Sequence, residues 1–365
     1  MTSANSVLGE IRRFAGWRQV TLPLVAAALV LDLLGGHPLF TFALSALALV
    51  PLAGLLGHAT EELAVHVGPA AGGLLNATLG NLTELIIGVL ALSRGEVEVV
   101  KASITGSIIG NLLLVFGLAA FLGGLGRQKL SFSAVAVGAN ASMLFLAVVG
   151  LVMPALFQLL VSGSLQPSGP RIENLSFWVS GVLLAGYAAS LVFILRTHRS
   201  LFRGEAHERP TLGRGAALGL LLVSALLVAI ASELLIGQIN AVTTSLGWTR
   251  LFVGLVVVAT VGNAAEHSTA ILAARAGRMD LALHIAVGSS AQIALFVAPL
   301  LVVLSPFLGA PMSLVFHPLE IAAVIFSVGA VVVVAMDGET NWLEGLMLIG
   351  VYAILGVFFY VLPGL

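Results

Sequence analysis

Gly80-Asn81-Leu82-Thr83-Glu84 and Gly262-Asn263-Ala264-Ala265-Glu266 read almost alike, and each sets a carboxylate inside a long apolar run. The runs cover residues 74–92 and 252–274, and the two acids stand 182 positions apart. An ionised side chain near a bilayer centre costs about 3 kcal/mol or more, so an intramembrane acid marks a functional site and calls for a named partner. For each Glu the obvious partner is the other.

Outward from these motifs the whole chain shares the same apolar character. Of its 365 residues 59% are hydrophobic and 9% charged, where a soluble domain carries about 25% charged residues. A spanning helix needs roughly 20 mainly apolar residues. Such runs fall near 21–36, 38–66, 69–93, 97–124, 131–161, 173–199, 212–246, 248–276, 279–308, 313–336 and 342–362. They lack the strict alternation of barrel strands. The expected fold is therefore an all-α polytopic membrane protein with about eleven transmembrane helices, its solvent the lipid bilayer. With no cysteine, disulfides, thiolate metal sites and cysteine nucleophiles are excluded. The basic residues are few and read as loop residues, which gives no support to nucleic-acid binding.

Lysines and arginines set the orientation, because they concentrate in cytoplasmic loops. Eleven spans with the N-terminus inside put 12 of the 16 basic residues on the cytoplasmic side, leaving Arg94, Lys101, Arg171 and Arg250 on the other. Arg12, Arg13 and Arg18 precede an apolar run with no clear small-residue cleavage site, so this reads as a first helix rather than a removed signal peptide. The lack of a long N-terminal extension leans towards a prokaryotic plasma membrane.

The likeness of the two halves extends past the motifs. Ser107 and Ser289 each follow a glycine and each lie 23 positions after their Glu, and an amide follows in each case, Asn111 or Gln292. A tail and first helix over 1–37, a five-helix repeat over 38–199, a short polar linker over 200–211 and a second repeat over 212–365 account for this. Five spans per unit is an odd number, so the repeats enter the membrane from opposite sides. Inverted repeats with a site at the midplane are the architecture of many secondary transporters.

The stretches Ala59-Thr60-Glu61-Glu62-Leu63, Leu75-Asn76-Ala77-Thr78-Leu79-Gly80-Asn81-Leu82-Thr83-Glu84, Lys101-Ala102-Ser103-Ile104-Thr105-Gly106-Ser107-Ile108-Ile109-Gly110-Asn111, Val261-Gly262-Asn263-Ala264-Ala265-Glu266-His267, Gly288-Ser289-Ser290-Ala291-Gln292 and Asp337-Gly338-Glu339-Thr340-Asn341-Trp342 together carry a resemblance. Over roughly 50–365 the sequence resembles the cation/proton exchangers, the Ca²⁺:H⁺ antiporters of the wider cation/Ca²⁺ exchanger superfamily. Two departures stand out. His284 occupies a place where a small residue is expected, and the loop between the halves is not acidic, which puts Ca²⁺ sensing by that loop in doubt.

The resemblance implies exchange of Ca²⁺ for H⁺, with no cofactor beyond the transported ions, and the residue chemistry agrees. Ca²⁺ takes several oxygen ligands, and Glu84 with Glu266 neutralises one divalent ion. Gly80 and Gly262 could interrupt a helix and free carbonyls to line a cavity, or could only allow close packing. Asn81 and Asn263 suit either scaffolding or ligation. Ser107, Ser289, Asn111 and Gln292 are candidates for the ion pathway. His267 points about 100° away from Glu266 around a helix and suits a proton carrier or modulator. Glu61, Glu62 and Glu233 are candidate gating acids; adjacent Glu61 and Glu62 cannot share a face. Glu320 and Glu344 read as structural acids, and Asp280 with His284, four apart, as a pair.

With Ca²⁺ bound the two Glu sum to zero charge, as they do when both are protonated. Only the empty, ionised pair is heavily penalised in a low-dielectric medium, so obligatory exchange follows from charge. Rival readings are a Na⁺(K⁺)/H⁺ or Na⁺/Ca²⁺ exchanger of the same fold, an ion channel, or an intramembrane enzyme. The chain lacks a His-Glu-x-x-His motif, and Asp32 is its only Asp in mid-span. A homo-oligomer is compatible with all of this.

Overall fold

The computed structural model describes residues 20–163, 169–198 and 210–362; most of the linker expected at 200–211 therefore lies outside the described residues. In chain order the helices are α1 Val20–Leu33, α2 Pro38–Val67, α3 Pro69–Leu79, α4 Leu82–Ser93, α5 Val97–Gly124, α6 Ala134–Ser162, α7 Pro170–Thr197, α8 Arg214–Gly237, α9 Ile239–Leu246, α10 Arg250–Gly262, α11 Ala264–Arg275, α12 Met279–Leu308, α13 Pro318–Ala335 and α14 Trp342–Val361. Local chemistry fixes their starts. His37 caps α2 ahead of Pro38, its Nδ1 accepting from the Leu39 N–H at 3.3 Å. Asn341 caps α14, and Glu344 bonds back to the Asn341 N–H at 3.2 Å, a reciprocal capping box.

Among the described residues, eight helices are long and apolar enough to cross a membrane, and ten spans result if each of two bent pairs counts as one. The eleven apolar runs are all helical, yet several are not single rods. The run at 69–93 is α3 plus α4, bent by 41°. The run at 248–276 is α10 plus α11, parted at Asn263, and the run at 212–246 is α8 plus α9. Among the described residues α1 covers Val20–Leu33. Hydropathy alone does not register these breaks, because Gly-Asn and Gly-Gln pairs interrupt a helix without interrupting its apolar stretch.

The chain packs as two units. One takes in Met1–Leu90, Glu205–Trp248 and Val261–Ala265; the other takes in Ala91–Gly204, Thr249–Thr260 and Glu266–Leu365. Within the first, α2 lies along α8, with α3 and α9 also packed on α2. Near the end of α2 the buried Glu62 grips the lead-in to α8. Its carboxylate accepts from the Thr211 hydroxyl at 2.6 Å, the Thr211 N–H at 3.0 Å and the Leu212 N–H at 3.0 Å. His66 Nε2 lies 2.7 Å from the Leu212 carbonyl oxygen.

Within the second unit, α5 packs on α10 at glycine contacts. A Cβ on Gly106 would collide with the Leu255 carbonyl, and one on Gly254 would stand 2.6 Å from Ala102 Cβ. The small-residue packing that membranes favour therefore falls at these glycines. Two-residue strands β1, Leu130–Ser131, and β2, Glu339–Thr340, pair antiparallel, with Leu130 opposite Thr340. Lys129 and Glu339 add an exposed ion pair at 2.6 Å.

Lys101 corrects the reading of the basic residues as loop charges. It sits inside α5, only 8% exposed, and donates to the Val315 carbonyl at 2.6 Å. Two acids close before it, Glu96 and Glu98, make the sequence look like a polar loop, whereas the helix has already begun at Val97.

Candidate functional site

Both motif acids occupy the same local position. Glu84 lies in the first turn of α4 and Glu266 in the first turn of α11, each just after a Gly-Asn interruption. Helix starts carry partial positive charge, which favours a carboxylate there. At Gly80 the interruption is a kink rather than the unwound turn the sequence suggested. Gly80 keeps helical angles, φ −56° and ψ −34°, and its N–H reaches the Asn76 carbonyl at 2.8 Å. Hydrogen bonding resumes at once, from the Leu85 N–H to the Asn81 carbonyl at 3.1 Å.

The first unit brings Glu84, Gly80, Asn81, Gly262 and Asn263 into one body. A Cβ built on Gly262 would stand 3.8 Å from Glu84 Oε1 and 3.7 Å from Ile87 Cδ1. The glycine of the second motif thus sets bare backbone against the carboxylate of the first. Asn81 and Asn263 are both buried. Asn81 Nδ2 donates across the kink to the Ala77 carbonyl at 3.5 Å, a scaffolding contact.

The second unit holds Glu266, His267, Ser107, Asn111, Ser289 and Gln292. The Ser289 hydroxyl hydrogen-bonds the Glu266 carboxylate, while Glu266 Oε2 is buried and accepts no hydrogen bond among the described residues. His267 Nε2 lies 3.0 Å from Asn111 Oδ1. An amide oxygen only accepts, so this contact assigns the ring hydrogen to Nε2. Ser107 and Asn111 are buried on α5.

One feature was not legible in sequence. α5 passes from α- to π-helical pairing over Gly110–Val115, and α12 does so over Ile293–Val297. The first π turn includes Asn111 and begins just past Ser107; the second begins directly after Gln292. Two more lie at Val253–Val258 in α10 and at Phe193–Thr197, the end of α7. π turns inside α-helices gather at functional sites.

The remaining candidates separate. Glu61 is exposed while Glu62 is buried and bound to the lead-in of α8; Glu233 is half-buried on α8. Asp280 accepts from the Ser133 N–H at 2.6 Å. Glu344 caps its own helix, as a structural acid should. Among the described residues no group of three or more His, Asp or Glu could hold a metal.

A family model described as sodium/calcium exchanger protein matches residues 37–196 and 216–361. The chain belongs to that family. It is a family of transporters, not enzymes. The chain is 45% identical to a Ca²⁺/H⁺ antiporter of Synechocystis over 351 residues, 91% of this chain and 94% of that one. It is 39% identical to the Ca²⁺/H⁺ antiporter ChaA of Bacillus subtilis, over 93% and 98% of the two chains. The solved structure of native YfkE superposes with a TM-score of 0.82 at 36% identity, covering 95% of this chain and all of that one. A structure of an H⁺/Ca²⁺ exchanger, CAX, shares the fold, with a TM-score of 0.74 at 17% identity.

Proposed function

We propose that this chain exchanges Ca²⁺ for H⁺ across a membrane by alternating access, the ion and the protons competing for Glu84 and Glu266. The observation that carries the reading is the Gly262 backbone set against the Glu84 carboxylate. It ties the two motifs to one task, as inverted repeats around a shared ion require. Relatives named as Ca²⁺/H⁺ antiporters, matched over nearly their whole length, supply the ion and the counter-ion.

Ser107, Ser289, Asn263 and Gln292 line the ion's path, and Asn111 holds His267. Ca²⁺ cancels the charge of both acids, as two protons do, and either neutral form crosses the low-dielectric region more cheaply than the bare pair. The site needs no cofactor besides the ions carried.

The reading includes one N-terminal helix and two five-helix repeats with the N-terminus in the cytoplasm of a prokaryotic cell. Contacts inside the second unit support the alternation of its spans by joining segments assigned to one side. Leu130–Ser131 pairs with Glu339–Thr340, and Arg127 donates to the Ala274 carbonyl at 3.3 Å, all segments that the reading assigns to the cytoplasmic side. Arg250 meets Glu96 at 2.9 Å and the Leu314 N–H meets Ser176 Oγ at 2.9 Å, all on the other.

The decisive experiment is Ca²⁺-driven proton flux in proteoliposomes, with Na⁺ and K⁺ varied in parallel. Glu84→Gln and Glu266→Gln should each abolish exchange in protein that still inserts and folds. Normal flux in either variant, or flux driven by Na⁺ in place of H⁺, overturns the assignment.

A further inference from the structure

Glu320 lies outside the site just described, at the start of α13, and is 2% exposed. Its Oε2 accepts from the His317 N–H at 2.9 Å, half of a capping box. Its Oε1 lies 2.6 Å from the Thr105 hydroxyl on α5. That hydroxyl also lies 3.1 Å from the carbonyl oxygens of both Lys101 and Ala102. A hydroxyl has one hydrogen to give and can accept as well. With Glu320 ionised, Thr105 donates to Oε1. With a proton on Oε1, the carboxyl donates to Thr105 Oγ, whose own hydrogen turns to a backbone carbonyl. Every donor stays matched in both states and no heavy atom moves.

We infer that Glu320 is a proton-binding site in its own right, separate from the motif acids, with Thr105 as the hydroxyl that accommodates both protonation states. The surrounding charges are few. Lys101 lies one turn before Thr105, its ammonium held by Val315 O at 2.6 Å and Ser313 Oγ at 3.4 Å. Glu98 stands on the same helix, beside Arg250 and its partner Glu96, and His317 caps α13 itself. α6, packed on α13, carries no Asp, Glu, Lys, Arg or His, and α14 carries only Glu344, which caps its own start. A proton at Oε1 therefore changes the charge of a nearly closed polar cluster on α5, the helix that also carries Ser107 and Asn111. This holds whichever cation the protein carries.

The capping role and the proton role separate on one substitution. Gln serves as well as Glu at that position of a capping box but binds no proton. Infrared difference spectra of the purified full-length protein, titrated with acid in the absence of Ca²⁺, read protonated carboxyl groups directly. The wild type should show a titrating carboxylic-acid band that Glu320→Gln lacks, in protein of unchanged melting temperature. Identical band patterns in the two proteins overturn the inference and leave Glu320 a cap alone. Should Glu320→Gln fail to fold, Thr105→Val decides, because it keeps the carboxyl and removes its hydroxyl partner. The band should then shift in frequency, and an unshifted spectrum again overturns the inference. Neither arm depends on Ca²⁺ flux, so the result stands apart from the Glu84 and Glu266 experiments.

Discussion

The two Gly-Asn motifs share their spacing, and their glycines meet different neighbours. At Gly80 the constraint is internal: a Cβ would stand 2.6 Å from the carbonyl oxygen of Asn76, in the same helical stretch. At Gly262 the nearest atoms outside its own helix are 3.7 Å or more away and belong to Ile87 and Glu84 of the other motif. A side chain at the first glycine would meet its own chain, and one at the second would stand beside another segment's carboxylate. A sequence repeat therefore need not be a repeat of roles, and each half can supply what the other lacks.

The largest effect tests whether the two acids nevertheless titrate as a pair. Metal ligands must be deprotonated, so Ca²⁺ binding releases protons and apparent affinity falls as pH drops. If both Glu bind protons in competition with the ion, affinity falls by up to about 100-fold per pH unit, and by only about tenfold if one does. Calorimetry in buffers of different ionisation enthalpy, repeated across a pH series, counts the protons. A count near zero at every pH, with Ca²⁺ still bound, separates the proton route from both motifs.

Much of this comparison was legible in the sequence. The apolar runs gave the helices, and the serine 23 positions after the second motif's acid, Ser289, is the one that hydrogen-bonds Glu266. What escaped the reading depends on three-dimensional neighbours. A kink and a fully unwound turn share one sequence signal, because the backbone angles of Gly80 are set by its own hydrogen bonds. The π turns after Ser107 and Gln292 insert a residue's worth of slack into runs such as Leu112-Leu113-Leu114 and Ile293-Ala294-Leu295, where no side chain announces it. Lys101 looked like a loop charge because its partners, Ser313 and Val315, lie more than 200 positions away.

A second prediction acts on the first motif alone. Gly80→Ala forces the Asn76 carbonyl to move, and overpacking of this kind costs about 1–3 kcal/mol. Because the kink aims Glu84, a shift of about an ångström at the acid should lower exchange by roughly 10–100-fold. Melting temperature and flux, measured on the same preparation, should both fall. Normal stability and transport in the Gly80→Ala variant would mean that the kink does not need its glycine.

The smallest effect belongs to the second motif, and it is the one that can break the comparison. Gly262→Ala adds a methyl group at ordinary van der Waals distance, 3.8 Å from Glu84 Oε1, so no other segment has a clash to relieve. The methyl instead covers a face of the carboxylate that an ion or water would otherwise reach. Melting temperature should stay at the wild-type value, while apparent Ca²⁺ affinity weakens a few-fold, less than about 1 kcal/mol. The paired outcome is the informative one. If Gly262→Ala destabilises the protein as much as Gly80→Ala does, both glycines serve their own helices and the cross-motif contact loses its meaning. If it leaves stability intact and changes only the affinity, the second motif acts on the first motif's acid directly, which is how a repeated sequence comes to serve a single ion.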